Sequence, residues 1–347
     1  MKFGVSLYSY QTSLATGHMS FEDCLKEMKK IPADVNGVEA LFYRPGYAVP
    51  GYKQLYCRGL ISEKDQTQWK ELLEKYGMYA TCYDSIVGNP EYDMQRDGVC
   101  RKSNPSKDQY RDQMAIMKDE IDFAASFGFT TMRSPNVFGF YEEVIRDSLK
   151  YAAEKQIALC AEIHTPLRID GDMIGKYVEM LDKSDCPEGG GLIPDFGIFA
   201  KGLAKPLIRN AIQAGADEKL IERIVEGYDK NGNISDLAKE IRAQTAEPQI
   251  LQVLQRAEND IYEEPKKLLS VARYIRHVHA KFYEFDEELI EHSIDFTTAV
   301  KTLKEAGYEG VLSTEYEGHS FYGEYDPNEV EQVRRQIIAS KMLIEKL

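Results

Sequence analysis

Residues 157–164, IALCAEIH, decide how this chain is read. Five apolar or small residues, Ile157 to Ala161, end on the carboxylate of Glu162, and His164 follows two positions later. A short unbroken apolar run of this kind reads as a strand buried on both faces, as in a parallel sheet. The same design recurs along the chain. GGLIPD (190–195) ends in Asp195, IRHVHAK (275–281) carries His279, and GVLSTE (310–315) ends in Glu315. In a barrel of parallel strands all C-terminal ends open onto one mouth, so these four residues are expected to meet there. Three carboxylates and an imidazole suit a hard or borderline divalent ion, Mn²⁺ or Mg²⁺, better than a sulfur-rich structural zinc site does.

Strand and helix patterns alternate on both sides of that stretch. FGVSLYSY (3–10) precedes a helix opened by Ser20, with Glu22 and Asp23 at the positive end of its dipole. VNGVEALF (35–42) precedes a helix capped by Ser62 and stopped at Gly77, and MYATCYDS (78–85) precedes a long helix with Met114, Met117, Ile121 and Ala125 at core-facing spacing. After Phe199 the rhythm breaks. Residues 200–270 hold several helical patterns and no strand, too long for an ordinary connection and suited to a lid or interface. The count is eight strands and eight helices. It predicts an α/β fold, a single (β/α)₈ TIM-barrel domain over 1–347 with a helical insertion between strands 6 and 7. Residues 86–105 form the longest irregular stretch, a loop on the same side as the four residues.

Composition narrows the function classes. Of 347 residues, 43% are hydrophobic and 29% charged, and the net charge of -14 disfavours a nucleic-acid partner, which needs clustered Lys and Arg. No segment has the length of a membrane span, and the N-terminus runs into a strand without a signal-peptide pattern. The six cysteines form no CxxC pair. Free thiols in a reducing cytoplasm are expected.

Taken singly, each site residue has an ordinary alternative. Glu162 can be a solvated strand end, Asp195 a turn or cap residue, and either His277 or His279 a core imidazole. Glu315 and Glu317 share that ambiguity. Alternation places His164 on the face of Glu162, one layer higher, and Lys281 on the face of His279. Lys281 and Arg133 are expected either to hold substrate oxygens or to form ion pairs inside the barrel. Tyr8, Tyr10, Phe42, Tyr83 and Phe138 either stack on a ligand or pack. His18, His292 and His319 are expected at the surface, with a reach into the pocket as the alternative for His319, which follows the final Glu motif.

The chain resembles the xylose-isomerase-like superfamily of TIM barrels: sugar isomerases and epimerases, inosose dehydratases and metal-dependent AP endonucleases. The likeness runs through GVSLYSY, VEALF, AEIHTP, PDFGIF, HVHAKF and STEYEG. It implies that Glu162, Asp195, His279 and Glu315 hold one divalent ion, Mn²⁺ foremost with Mg²⁺, Co²⁺ or Zn²⁺ as alternatives, and that Glu39 faces substrate. The extra ligands of the endonuclease branch are not evident. Within the superfamily the chain is similar to the α subunits of bacterial C-deglycosylation enzymes, in length, opening and the enlarged region after PDFGIF. That likeness implies a hetero-oligomer with a smaller β subunit and a glycoside already oxidised to the 3-oxo sugar.

A ketone at C3 acidifies the C2 proton, and once a base removes it the C1 substituent leaves. His164 is expected as that acid/base, with Glu315 and Lys281 as further catalytic residues and Glu162 as an alternative base. Glu39, Arg133, Tyr8 and Phe138 are expected to touch substrate. Three readings follow: a lyase for 3-oxo-glycosides, a ketose isomerase or epimerase using the same ion, and a non-catalytic barrel with a binding insertion.

Overall fold

The computed structural model of the chain describes residues 1–41, 63–85, 104–134, 137–231, 234–260, 262–323 and 325–347. Phe42, the capping Ser62 and most of the 86–105 loop fall outside them. Eight parallel strands form one sheet: β1 (Lys2–Ser6), β2 (Val35–Leu41), β3 (Tyr79–Asp84), β4 (Thr131–Ser134), β5 (Ala158–Ile163), β6 (Gly190–Pro194), β7 (Val278–Phe282) and β8 (Val311–Tyr316). Their order is β6-β5-β4-β3-β2-β1-β8-β7. The ring closes between β6 and β7 through the bridges Leu192–Ile275 and Asp195–His279 and the bond from Arg276 N–H to the Leu192 carbonyl (3.1 Å). Closure requires Gly191, since a Cβ there would lie 2.8 Å from the Tyr274 carbonyl oxygen. The fold is the expected TIM barrel.

Local signals operate as read. Ser20 and Asp23 form a reciprocal capping box at the head of the helix Phe21–Lys30, and Gly77 takes positive φ after the helix Glu63–Lys75. In the helix Lys107–Ser126, Met114, Met117 and Ile121 are buried with Ala124, while Ala125 is half-buried beside them. Cys24, Cys82 and Cys160 are buried free thiols, and Cys186 is a free thiol that is half-buried. Among the described residues no helix is long and apolar enough to cross a membrane.

Among the described residues the region after β6 holds the helices Lys205–Gln213, Glu218–Asn231, Ser235–Gln244 and Pro248–Asn259, followed by the single turn Leu268–Val271. It docks on the C-terminal side of the barrel. Tyr228 bonds the Ala200 carbonyl, Arg209 pairs with Glu284 (2.6 Å), and the Asn210 amide donates to the Phe321 carbonyl.

One buried acid sets a pH dependence of stability. Glu291, 8% exposed, follows β7 and accepts the Ile294 N–H. Burial pushes its carboxyl from the usual 4.5 up to about 7. The folded state therefore holds a proton that the unfolded chain has lost between those values. The stabilisation is complete below pH 4.5, shrinks as pH rises and is gone above 7. Glu291→Gln is expected to gain stability over the parent by about 3 kcal/mol on going from pH 4.5 to pH 8. Chemical denaturation at both pH values checks this, and a difference that does not change with pH contradicts it.

Candidate metal centre

Strand register brings the four residues together, with Glu162, Asp195 and Glu315 at strand C-terminal ends but His279 second in β7, one layer deeper than its apolar run suggested. Glu162 is opposite Ile193 of β6, Asp195 bridges His279, and Glu315 is opposite Lys281. Donor atoms of Glu162, Asp195 and His279 all lie within 4.8 Å of one another. His279 Nδ1 is 2.9 Å from Glu162 Oε1 and 3.6 Å from Glu315 Oε2. Asp195 is also the turn residue that its composition suggested. Its Oδ1 accepts the Gly197 N–H at 2.6 Å, while Oδ2 faces Lys281 Nζ at 2.6 Å.

Beneath His279 lies a supporting layer. Its Nε2 is 3.4 Å from Glu39 Oε1 and 3.7 Å from Asp84 Oδ1, and Glu39 Oε2 meets His277 Nε2 at 2.5 Å. Glu39 and Asp84 hold the Nε2 side of the ring, so Nδ1 faces Glu162 and Glu315. Glu39 is fully buried, so its carboxylate serves the two imidazoles. His277 is the core imidazole and His279 the one facing the strand-end acids.

The electrostatics fit a cation. Among the described residues, six carboxylates, Glu39, Asp84, Glu162, Asp195, Glu315 and Glu317, face Arg133, Lys281 and Arg256 as fixed positive charges. Burial would lower the His279 pKa, yet Glu39 and Glu315 hold it well above the usual value, so the surplus negative charge draws a proton onto the ring. Burial, against the pull of His279 and Lys281, pushes Glu315 up to about 7. Glu162 is held well below the usual range, since Arg133 and His279 outweigh its burial. Among the described residues Glu315 Oε2 is buried and accepts no hydrogen bond. A buried unpaired acceptor is costly, and a divalent ion would satisfy it.

The residues around these four take distinct places. His164 is half-buried, and its Nδ1 is 2.8 Å from the Thr165 carbonyl. Arg133 Nη2 bonds Glu162 Oε2 at 2.6 Å, the interior ion pair considered for it. Lys281 bridges Asp195 and Glu317 Oε2 (2.7 Å), and Glu315 Oε2 is 3.9 Å away. Burial would raise Glu317, but Lys281 and Arg256 hold it at about 2. The Tyr8 ring packs on His319, in the field of Glu317, Lys281 and Glu315.

A model of the family described as xylose isomerase-like TIM barrel matches residues 33–340. The chain belongs to that family. Among curated family relatives, the C-glycoside deglycosidase alpha subunit of Arthrobacter globiformis is 25% identical, covering 100% of this chain and 93% of its own. The 3'-dehydrocarminate deglycosidase alpha subunit of a Microbacterium species is 21% identical, covering 95% and 92%. Among solved structures, the D-psicose 3-epimerase of Clostridium cellulolyticum H10 with D-tagatose superposes with a TM-score of 0.54 at 9% identity, covering 99% of both chains. That likeness concerns the fold alone.

Set on the family barrel, several expectations change. Tyr10 and Tyr83 are buried core residues, the Tyr83 hydroxyl bonded to Glu120 (2.7 Å). Phe138 is 5% exposed, and its ring packs edge-to-face on Tyr177 in the apolar core rather than on the ligand cluster. His319 is not at the surface. It is 1% exposed between the rings of Tyr8 and Tyr316, and burial lowers its pKa to about 4. Asp84, at the tip of β3, was missed although its strand ends as the ligand strands do. Arg256, which pairs with Asp260 and lies over the Tyr283 ring, had no signal in the sequence.

Proposed function

We propose that the chain is a divalent-metal-dependent lyase that cleaves the sugar–aglycone bond of 3-oxo-glycosides together with a smaller companion subunit. The observation that carries the reading is the grouping of Glu162, Asp195 and His279 beside the unpaired Glu315 oxygen. Relatives named as deglycosidase alpha subunits, aligned over nearly the whole chain, support the substrate class and the partner. Glu162, Asp195, His279 and Glu315 would hold the ion, most simply Mn²⁺. A bound ion would act as a Lewis acid towards the sugar oxygens at C2 and C3.

The protein's own groups account for the proton movements. A carbonyl only accepts, so the bond to Thr165 places the His164 proton on Nδ1 and leaves the Nε2 lone pair free as a base. His164 takes the C2 proton, and the electron pair of that bond shifts towards the C3 ketone oxygen. Lys281, kept charged by Asp195 and Glu317, provides a fixed positive charge near the developing oxyanion. The pair then returns to form a C1=C2 double bond as the C1–aglycone bond breaks. The aglycone leaves with that bond's electrons and takes the proton back from His164.

A ketose epimerase is the second reading. It rests on the two carboxylates Glu162 and Glu315 beside His279 Nδ1, groups of the kind that exchange a proton at a sugar carbon. The two readings separate in one assay. With Mn²⁺, a 3-oxo-glycoside and a deglycosidase companion subunit, aglycone release is expected. No aglycone release from the 3-oxo-glycoside, with epimerisation of a free ketose supplied in a parallel reaction, overturns the lyase reading.

A further inference from the structure

The exit of the insertion touches the segments that follow β5, β6 and β7. Glu263 is 1% exposed, and its carboxylate accepts Arg168 Nη1 at 2.5 Å and Lys267 Nζ at 3.2 Å. Lys267 also pairs with Asp170 at 2.8 Å. Arg168 and Asp170 belong to the loop after β5, which begins with His164, and Thr165 of that loop donates to the Asn259 carbonyl (3.2 Å). The Glu263 backbone N–H donates to the Ile198 carbonyl at 2.8 Å, and Tyr262 bridges Phe199, both in the turn opened by Asp195. On the third side Arg256, paired with Asp260 at 2.9 Å, hydrogen-bonds the hydroxyl of Tyr283, the residue after β7.

We propose that Glu263 is a positioning residue that sets His164 and Asp195 relative to each other by clamping the loops after β5 and β6. A carboxylate this deeply buried is costly to desolvate and remains charged only where cations and donors surround it. At Glu263 the cations are Arg168 of the loop after β5 and Lys267 four residues on, while the backbone N–H holds Ile198 in the turn after β6, so the side chain and backbone of one residue join the two loops. The affinity part of this inference rests on the metal-dependent reading of the centre, while the clamp itself is independent of it.

The test compares the parent with Glu263→Gln and Arg168→Lys as full chains, at a temperature where circular dichroism shows all of them folded. Hydrogen exchange followed by mass spectrometry reads the loops, and calorimetric titration reads Mn²⁺ affinity. In Glu263→Gln, faster exchange is expected across 165–171 and 196–200, with Mn²⁺ bound ~10-fold more weakly, as for loss of an outer-shell partner. Arg168→Lys, which keeps the charge but loses the fork, is expected to fall between. Exchange that quickens only around 262–267, with the parent's Mn²⁺ affinity, overturns the proposal. If Glu263→Gln does not fold, Arg168→Ala replaces it, since that side chain is half-exposed. Unchanged exchange at 165–171 in that variant equally overturns the proposal. A parent that binds no Mn²⁺ overturns the metal reading instead, and the exchange result then decides the clamp alone.

Discussion

His164→Ala is expected to keep its metal and to lose turnover by about 10²–10⁴-fold, the range for removal of a general acid–base group. His164 follows β5 by one residue, is half-buried, and spends Nδ1 on the Thr165 carbonyl. It lies two residues after Glu162, at the edge of the donor cluster formed by Glu162, Asp195 and His279. The measurement pairs steady-state kinetics with elemental analysis of the same preparation. Full activity in the alanine variant refutes the assignment, and loss of metal alongside activity would make His164 a ligand.

The second large effect is expected at the ligands. His279→Ala or Glu162→Ala should cost more metal affinity than the ~10–100-fold typical of outer-shell changes, leaving the protein without metal at micromolar Mn²⁺. His279 is fully buried, with Glu162 and Glu315 on its Nδ1 side and Glu39 and Asp84 on its Nε2 side. Its removal takes away the nitrogen donor and unties the supporting carboxylates together. Removing Glu162 also leaves the half-buried Arg133 without its 2.6 Å partner, so a loss of thermal stability should accompany the loss of metal. Elemental analysis after dialysis reads the outcome. Full Mn²⁺ occupancy in both variants would remove the centre from the account.

What could be read in advance follows from what each signal encodes. The strands β5 to β8 are buried on both faces, so their apolar runs stand out, and a charged residue ending such a run marks the barrel mouth. Ser20 with Asp23 is a local pattern and is readable for that reason. The pairing of Glu39 with His277 spans 238 positions and depends on ring closure, which no local pattern carries. An aromatic residue near a strand end reveals nothing about which way it turns, and Tyr10, Tyr83 and Phe138 turned into the core. The insertion was visible as a break in rhythm. Its docking through Arg256 and Glu263 was not, because a charged residue on a helical pattern normally reads as a solvated face.

The most direct test uses a 3-oxo-glycoside carrying deuterium at C2, turned over by the metal-loaded chain with its companion subunit, and weighs the sugar product by mass spectrometry. Abstraction of the C2 proton predicts that the product has lost the deuterium. A product that retains it would mean that the bond at C1 breaks without enolisation, and would contradict the account.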